Sequence, residues 1–172
     1  MFQRAIVIGC PGSGKSTFAR SLRDRTGLPL YYLDQLWHRP DGTHVTQEAF
    51  DQALSGILEQ ERWIIDGNYQ RTLELRLQAC EAVFLVDYPL EVCLAGASSR
   101  IGQKREDFPW IETEFDEEFR QWILDFPQYK LPEIYKLLEQ HQEGKQIVIL
   151  HSRQEADHYF EPPVSAGPEK ER

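Results

Sequence analysis

The sequence contains a glycine-rich stretch whose residue types and spacing suit phosphate binding. Residues 9–16 read Gly-Cys-Pro-Gly-Ser-Gly-Lys-Ser and match the pattern G-x-x-x-x-G-K-S/T at every specified position. Glycines let backbone N–H groups point inward, and a helix that starts at the end of the stretch adds partial positive charge. This stretch, called the glycine loop below, predicts binding of a nucleoside triphosphate, namely ATP with Mg²⁺.

Eight residues are predicted to bind the nucleotide. They are Gly9, Pro11, Gly12, Ser13, Gly14, Lys15, Ser16 and Thr17. Lys15 is also a predicted catalytic residue, because an ammonium group there would bridge the β- and γ-phosphates. The hydroxyl of Ser16 is a predicted Mg²⁺ ligand. A chance glycine-rich turn is the alternative, which the apolar run before the loop and the helical pattern after it disfavour.

Carboxylates follow three of the apolar runs, at Asp34, Asp66 and Asp87. Ligands of open α/β sheets gather at the carboxyl ends of strands, so these side chains are candidates for metal binding and proton handling. Asp66, followed by Gly67, is predicted to be catalytic and to hold Mg²⁺ through water; an Asp-Gly turn is the alternative. Asp34 is predicted to orient or deprotonate a substrate hydroxyl, and a helix N-cap is its alternative. Asp87 is interpreted as a turn residue.

Arginines supply the remaining candidates for contacts to phosphate. Arg100 and Arg105 are predicted to be catalytic, since they flank a segment that could fold over ATP and neutralise charge on the transferred group. A solvated charged loop is the alternative. Arg71 and Arg76 lie on the predicted helix after Asp66, where they could reach a substrate anion or face solvent.

The elements that must position these groups alternate along the chain. The apolar runs predicted as strands are 5–8, 30–33, 63–65, 82–86 and 146–150. The stretches predicted as helices are 16–25, 47–60, 71–80, 90–101, 115–125 and 132–142, with a loop at 37–46. This alternation predicts an α/β fold in three layers, with a mostly parallel sheet of about five strands. We expect one domain over 1–160 and a disordered tail over 161–172.

Composition and charge exclude several classes of function. The chain has 172 residues, 19 basic and 28 acidic, and a net charge of −9, which argues against direct DNA binding. Its three cysteines form no CxxC pair, so neither a zinc site nor a disulfide framework is indicated. No apolar run has the length of a secretory or membrane segment. We therefore expect a cytoplasmic protein without membrane association; its oligomeric state stays open.

The motifs together resemble those of adenylate-kinase-like P-loop proteins, in particular the family labelled DNA topology modulation or FlaR-like proteins. The shared features run from position 9 to about 150 and include GCPGSGKST at 9–17, WIIDGNY at 63–69 and FLVDYP at 84–89. The combination of the first two motifs is specific. Nearly the whole chain takes part in the resemblance.

The resemblance implies a P-loop NTPase fold like that of nucleoside-monophosphate kinases, with a short lid at about 101–114. It implies that Asp66 lies beside the phosphates and Mg²⁺, and that Arg100 and Arg105 contact ATP from the lid. One departure from the family concerns Gly96, because relatives often carry there an arginine that stacks on adenine.

The sequence therefore predicts an ATP- and Mg²⁺-dependent phosphotransferase that acts on a small-molecule acceptor. A nucleotide-state switch or regulatory ATPase with a protein or nucleic-acid partner is the alternative. The acceptor is not identified. A nucleoside monophosphate would need a second phosphate site, from Arg71 or Arg76, whereas a hydroxylated metabolite could use Asp34 alone.

Overall fold

The computed structural model describes residues 1–162, which fold around one sheet of five strands. The strands are β1 (Arg4–Gly9), β2 (Leu30–Tyr32), β3 (Trp63–Asp66), β4 (Ala82–Val86) and β5 (Gln146–Leu150). Every pairing is parallel, in the order β2-β3-β1-β4-β5. The α/β class and the five parallel strands are thereby confirmed. Most of the tail predicted to be disordered, from 163 onward, lies outside the described residues.

Eight α-helices connect and flank these strands within the described residues. They are α1 (Lys15–Thr26), α2 (Leu33–Trp37), α3 (Gln47–Leu58), α4 (Leu73–Ala79), α5 (Leu90–Ser99), α6 (Glu117–Asp125), α7 (Leu131–Gln140) and α8 (Arg153–Tyr159). A 3₁₀ turn, Gln70–Thr72, leads into α4, and a π-helical segment, Phe126–Lys130, joins α6 to α7. No helix in the described part of the chain has the length and apolar character that crossing a bilayer requires.

The structure differs from the predicted elements in four places. Helix α2 takes Leu33 out of the predicted second strand, and helix α8 was not predicted at all. Pro127 does not separate two helices, because it lies at the start of the π-helical segment, where a missing N–H is tolerated. The predicted loop at 37–46 carries an isolated bridge between His38 and His44.

The central strand β1 and its neighbour β4 are buried on both sides of the sheet. The side chains of 5–8 and 82–86 have no solvent exposure. Successive side chains of a strand point to opposite faces, so both faces of the sheet centre are covered. On one face, the rings of Phe18 in α1 and Tyr159 in α8 each lie 5.2 Å from the ring of Phe84. Burial on both sides fixes the carboxyl edge of the sheet, where the candidate site lies.

Candidate active site

The glycine loop connects β1 to α1 and has a conformation that its glycines permit. Gly12 and Gly14 have φ of 81° and 91°, values that residues with a Cβ rarely adopt. The amide of Ser13 donates to the carbonyl of Cys10 at 3.1 Å and closes a turn inside the loop. Gly14 precedes α1 without a side-chain cap, so the first N–H groups of the helix have no partner within it. Such a helix start attracts anions.

Helix α5 packs directly on the backbone of the glycine loop. A Cβ on Gly12 would lie 2.1 Å from the carbonyl oxygen of Cys93, and a Cβ on Gly96 would lie 2.0 Å from the carbonyl oxygen of Gly12. Only glycine fits at both positions while the two backbones stay in contact. This contact gives a physical reason for Gly96, since no larger side chain has room there.

The segment after β3 clamps the start of the glycine loop. The side chain of Asn68 accepts from the amide of Gly9 at 3.0 Å and donates to its carbonyl at 2.6 Å. Arg76, fully buried, donates to the carbonyl oxygens of Gly67, Asn68 and Tyr69. Burial lowers the pKa of this guanidinium to about 9. Because its two terminal nitrogens donate to the backbone and the residue has no solvent exposure, Arg76 holds the clamp and does not reach a substrate anion.

Ser16 and Asp66 meet below the first turn of α1. The Ser16 hydroxyl donates to Oδ2 of Asp66 at 2.5 Å, while Oδ1 of Asp66 is buried without a hydrogen-bond partner. Burial raises the pKa of Asp66 to about 6, against the opposing effects of Lys15 and Ser16. A partly buried hydroxyl and a buried carboxylate with one unpartnered oxygen fit Mg²⁺, which takes its other ligands from water and phosphate.

Lys15 lies at the end of the glycine loop and is only 9% exposed. Its ammonium group forms no ion pair within 4.0 Å among residues 1–162, although Asp66 is close enough to be affected by its charge. A nearly buried ammonium without a partner is costly unless an anion binds beside it. Thr17, the last of the predicted nucleotide contacts, is exposed, and its hydroxyl accepts from Arg20 at 3.1 Å.

A cavity of about 690 Å³ opens beside the glycine loop. Its walls include Pro11, Lys15, Asp34, Arg100 and Arg105 of the predicted residues, together with Trp37, His38, Gly67, Asn68, Tyr69, Gln70, Arg71, Phe108, Glu112, Glu114, Asp116, Phe119, Trp122, Phe126 and Lys130. Its volume is in the range of small-molecule sites in proteins. The cavity therefore brings residues from four separate parts of the sequence to one space.

Asp34 enters this cavity from α2, directly after β2. It lies within the first turn of the helix, whose N-cap is Tyr32, so the N-cap alternative is wrong. Oδ1 of Asp34 accepts from the hydroxyl of Tyr69 at 2.8 Å. Burial and the nearby charge of Asp34 raise the pKa of Tyr69, which keeps its hydroxyl a donor. The carboxylate is thus oriented by one hydrogen bond and keeps capacity to accept a second.

The two predicted catalytic arginines have different surroundings. Nε of Arg100 is buried without a hydrogen-bond partner, and its guanidinium lies 5.9 Å from the ring centre of Phe119. Burial and the charge of Arg105 lower the pKa of Arg100. Arg105 forms ion pairs with Asp107 at 3.5 Å and Glu112 at 3.2 Å. Arg100 is therefore the more available of the two for an added anion.

The 101–114 segment is attached to α1 by side chains. Arg20 pairs with Asp107 at 3.5 Å, and Asp107 is only 4% exposed. Arg23 pairs with Glu106, whose carbonyl also accepts from the amide of Gln35 at 2.9 Å. The segment thus lies against the helix that the glycine loop opens, with one buried and one exposed ion pair.

Arg71 and Asp87 lie in different cavities: Arg71 lines the one that contains Lys15, and Asp87 does not. Arg71 is exposed at the cavity rim and pairs with Asp51 at 2.6 Å. Asp87 lines a second cavity of about 470 Å³, where it accepts from the hydroxyl of Tyr135 at 2.5 Å. Asp34 and Asp87 thus line two different cavities, and Asp66 is buried beside Ser16. Among the described residues, no group of three or more acidic, cysteine or histidine side chains could hold a metal.

The sequence reasoning missed the roles of Asn68, Gly96 and Asp107. Asn68 belongs to the WIIDGNY motif, but its role was missed because its two hydrogen bonds join residues 59 positions apart. Comparison with known proteins adds no assignment to this geometry: no protein-family model matches the chain, and a search of the curated proteins found no match. The function must therefore be inferred from the arrangement of side chains.

Proposed function

We propose that this protein is an ATP- and Mg²⁺-dependent phosphotransferase that moves the γ-phosphoryl group of ATP to a small-molecule acceptor. One observation carries the proposal: Lys15 of the glycine loop and Asp34, which follows β2, line a single cavity. One is a cation suited to a phosphate and the other a base suited to a hydroxyl. In this proposal the chain has a P-loop NTPase fold like that of nucleoside-monophosphate kinases.

The nucleotide side of the reaction belongs to the glycine loop and the start of α1. The free N–H groups after Gly14 and the unpaired ammonium of Lys15 bind the β- and γ-phosphates. Ser16 and Asp66 hold Mg²⁺, which supplies neutralisation of phosphate charge when it is bound. Gly9, Gly12 and Ser13 act by shaping the loop, because their backbone groups are engaged with Asn68, α5 and Cys10.

The acceptor side belongs to Asp34. Its carboxylate, oriented by Tyr69, accepts the proton of an acceptor hydroxyl as that oxygen attacks the γ-phosphorus. Arg100 neutralises charge on the transferred group, and Arg105 assists by holding the 101–114 segment in place as a short lid. Exclusion of water by this lid favours transfer over hydrolysis.

The pairing of two arginines within the protein favours a hydroxylated acceptor over a nucleoside monophosphate. Arg76 is engaged with backbone carbonyls and Arg71 with Asp51, so neither is placed as a free second phosphate site. The same cavity is also lined by Glu112, Glu114 and Asp116, of which Glu112 pairs with Arg105. A hydroxylated acceptor needs only the carboxylate of Asp34, so it requires no further cation.

The test is ATP consumption measured against a panel of nucleosides, nucleotides, sugars and amino alcohols. We expect one hydroxylated compound to raise turnover strongly, and Lys15→Ala to lower that turnover by about a hundredfold or more. Lys136→Ala, on the exposed face of α7, is the matched control and should behave as wild type. Slow hydrolysis that no acceptor stimulates would favour the nucleotide-state switch. Failure of the wild-type chain to bind any triphosphate would contradict both functions.

A further inference from the structure

The loop between α2 and α3 holds the ring of Trp37 in a fixed plane. The rings of Trp37 and His44 are stacked, with their centres 4.4 Å apart and their planes within 8° of each other. The isolated bridge between His38 and His44 closes the loop around this pair. The amide of Val45 also donates to the carbonyl of Trp37 at 2.9 Å. The proposed reaction has so far given this loop no role.

The indole of Trp37 borders two adjoining cavities. It lines the cavity that contains Lys15 and Asp34, and it lines a smaller one of about 230 Å³. The two cavities adjoin because they share the wall residues at 37 and 69–71. His44 lines neither of them, so the indole surface that meets the cavities is not the face that His44 covers. That surface is available to a ligand.

One buried ring supports both Trp37 and the proposed base. Phe50 of α3 is 1% exposed, and its ring centre lies 5.9 Å from that of Trp37 and 5.1 Å from that of Tyr69. Tyr69 in turn donates to Asp34 at 2.8 Å. Trp37 follows Asp34 by three residues in α2, a spacing that places the two side chains on one side of the helix. The indole and the carboxylate are therefore held at a fixed separation.

Aromatic side chains form much of the remaining wall of the larger cavity. Besides the indole, they are Tyr69, Phe108, Phe119, Trp122 and Phe126. Trp122 is 55% exposed, so a large ring surface there is open to a ligand. The two neutral amide side chains of the wall are already hydrogen-bonded, Asn68 to Gly9 and Gln70 to Glu133. The wall therefore suits a flat ring better than a polyhydroxylated sugar.

From the fixed indole beside Asp34 and the aromatic wall, we infer that the acceptor carries its hydroxyl on a flat aromatic ring system, which stacks on Trp37. Trp37 is thus a specificity-determining residue. The inference deepens the proposed function and rests on it for the transfer step. With the ring against the indole, the hydroxyl oxygen attacks the γ-phosphorus of ATP and its proton passes to Asp34. The bond from that phosphorus to the bridging oxygen breaks, and ADP leaves.

The experiment compares matched pairs of alcohols that differ in the flat ring. Adenosine, cytidine and thymidine are each paired with the free pentose, and 3-hydroxymethylpyridine is paired with cyclohexylmethanol. Saturation-transfer NMR and calorimetry measure binding without ATP, and ADP release measures transfer with it. We expect a ring-bearing compound to bind and to be phosphorylated, with its partner weaker by about tenfold or more.

Three variants test whether Trp37 supplies the stacking surface. Trp37→Ala should weaken binding of that compound about tenfold and leave the affinity for a fluorescent ATP analogue unchanged. Trp37→Phe keeps a ring and should stay within about threefold of wild type, which keeps the test decisive if the alanine variant folds poorly. Tyr129→Ala is the matched control and should bind as wild type, because this ring is 63% exposed and lines neither cavity.

The outcomes separate the inference from the proposed function. If the wild type binds none of the ring-bearing compounds, the inference is overturned. Equal binding by both members of every pair, or unchanged binding by Trp37→Ala, overturns it as well. Binding that depends on Trp37 without phosphoryl transfer supports the ring site and contradicts the proposed function. Transfer to a free sugar or an open-chain alcohol alone supports the phosphotransferase and overturns the ring specificity.

Discussion

The glycine loop and the 101–114 segment line the same cavity but are held in different ways. The loop is fixed by backbone: two positive-φ glycines, the two hydrogen bonds of Asn68 and the contact with Gly96. The segment contains no helix or strand and depends on side-chain pairs, chiefly those of Asp107. Backbone contacts of this kind do not respond to salt, whereas the exposed pair that Arg23 forms with Glu106 of the segment is weak and screened. This difference suits a rigid phosphate-binding loop and a 101–114 segment that can be displaced from it.

The largest expected effect comes from adding one methyl group between the loop and α5. Gly96→Ala places a Cβ 2.0 Å from the Gly12 carbonyl, so we expect a loss of about 3 kcal/mol in the free energy of unfolding. Urea denaturation measures the loss, and nucleotide affinity should fall with it. Gly56→Ala is the matched control, because it lies in α3 with nothing within 4 Å. There alanine should stabilise by about 0.5–1 kcal/mol. Equal effects at the two sites would contradict the backbone contact.

Asp66→Asn should change two properties that can be measured separately: the pH dependence of folding stability and the Mg²⁺ dependence of nucleotide binding. The pKa of Asp66 is raised from 3.8 to about 6, so its ionisation destabilises the folded state as pH rises through that window. Relative to Asp66→Asn, the wild type should therefore lose on the order of 2 kcal/mol between pH 4 and 7. Thermal unfolding of both variants across this pH range measures the difference.

The same substitution should remove the Mg²⁺ dependence of nucleotide binding, because an amide replaces the carboxylate. Asp87→Asn, directly after strand β4 and at the second cavity, is the control and should keep that dependence. If the wild type binds nucleotide equally well with and without Mg²⁺ at pH 7, the assignment of Asp66 as a Mg²⁺ ligand is wrong.

Asp107→Asn should loosen the 101–114 segment while leaving the glycine loop intact. The carboxylate is 4% exposed and pairs with Arg20 and Arg105, so we expect a cost of about 1 kcal/mol and a several-fold fall in kcat. Affinity for the ATP analogue should change less than kcat. Steady-state kinetics and binding titration provide both numbers. Asp24→Asn, which removes an exposed partner of Arg23, should affect neither. A loss confined to affinity would place Asp107 with the loop instead.

The smallest effect is expected at the exposed attachment of the same segment. Arg23→Ala removes the pair with Glu106, both partners of which are partly open to solvent. Tryptic cleavage after Lys104 should then stay within about twofold of the wild-type rate, whereas Asp107→Asn should raise it further. Cleavage that rises equally in the two variants would show that buried and exposed pairs hold the segment alike.

The sequence predicted the sheet and the loop well because both are local patterns. Apolar runs identify β1 and β4, and the spacing in 9–16 requires no knowledge of distant residues. Helices α2 and α8, with 5 and 7 residues, are too short for a periodic pattern to reveal them. The roles of Gly96, Arg76 and Asp107 depend on what each touches across the fold. Arg20 and Asp107, for example, are 87 positions apart.

The buried guanidinium of Arg76 also bears on the order in which the molecule opens. Its three carbonyl partners lie in the segment that carries Asn68, and Asn68 in turn holds Gly9. Local unfolding of α4 would remove these donors together and release the first residue of the glycine loop. Amide hydrogens of α4 and of residues 67–69 should therefore exchange with solvent as one cooperative unit. A nucleotide bound at the glycine loop would slow the exchange of these amides in α4 and residues 67–69.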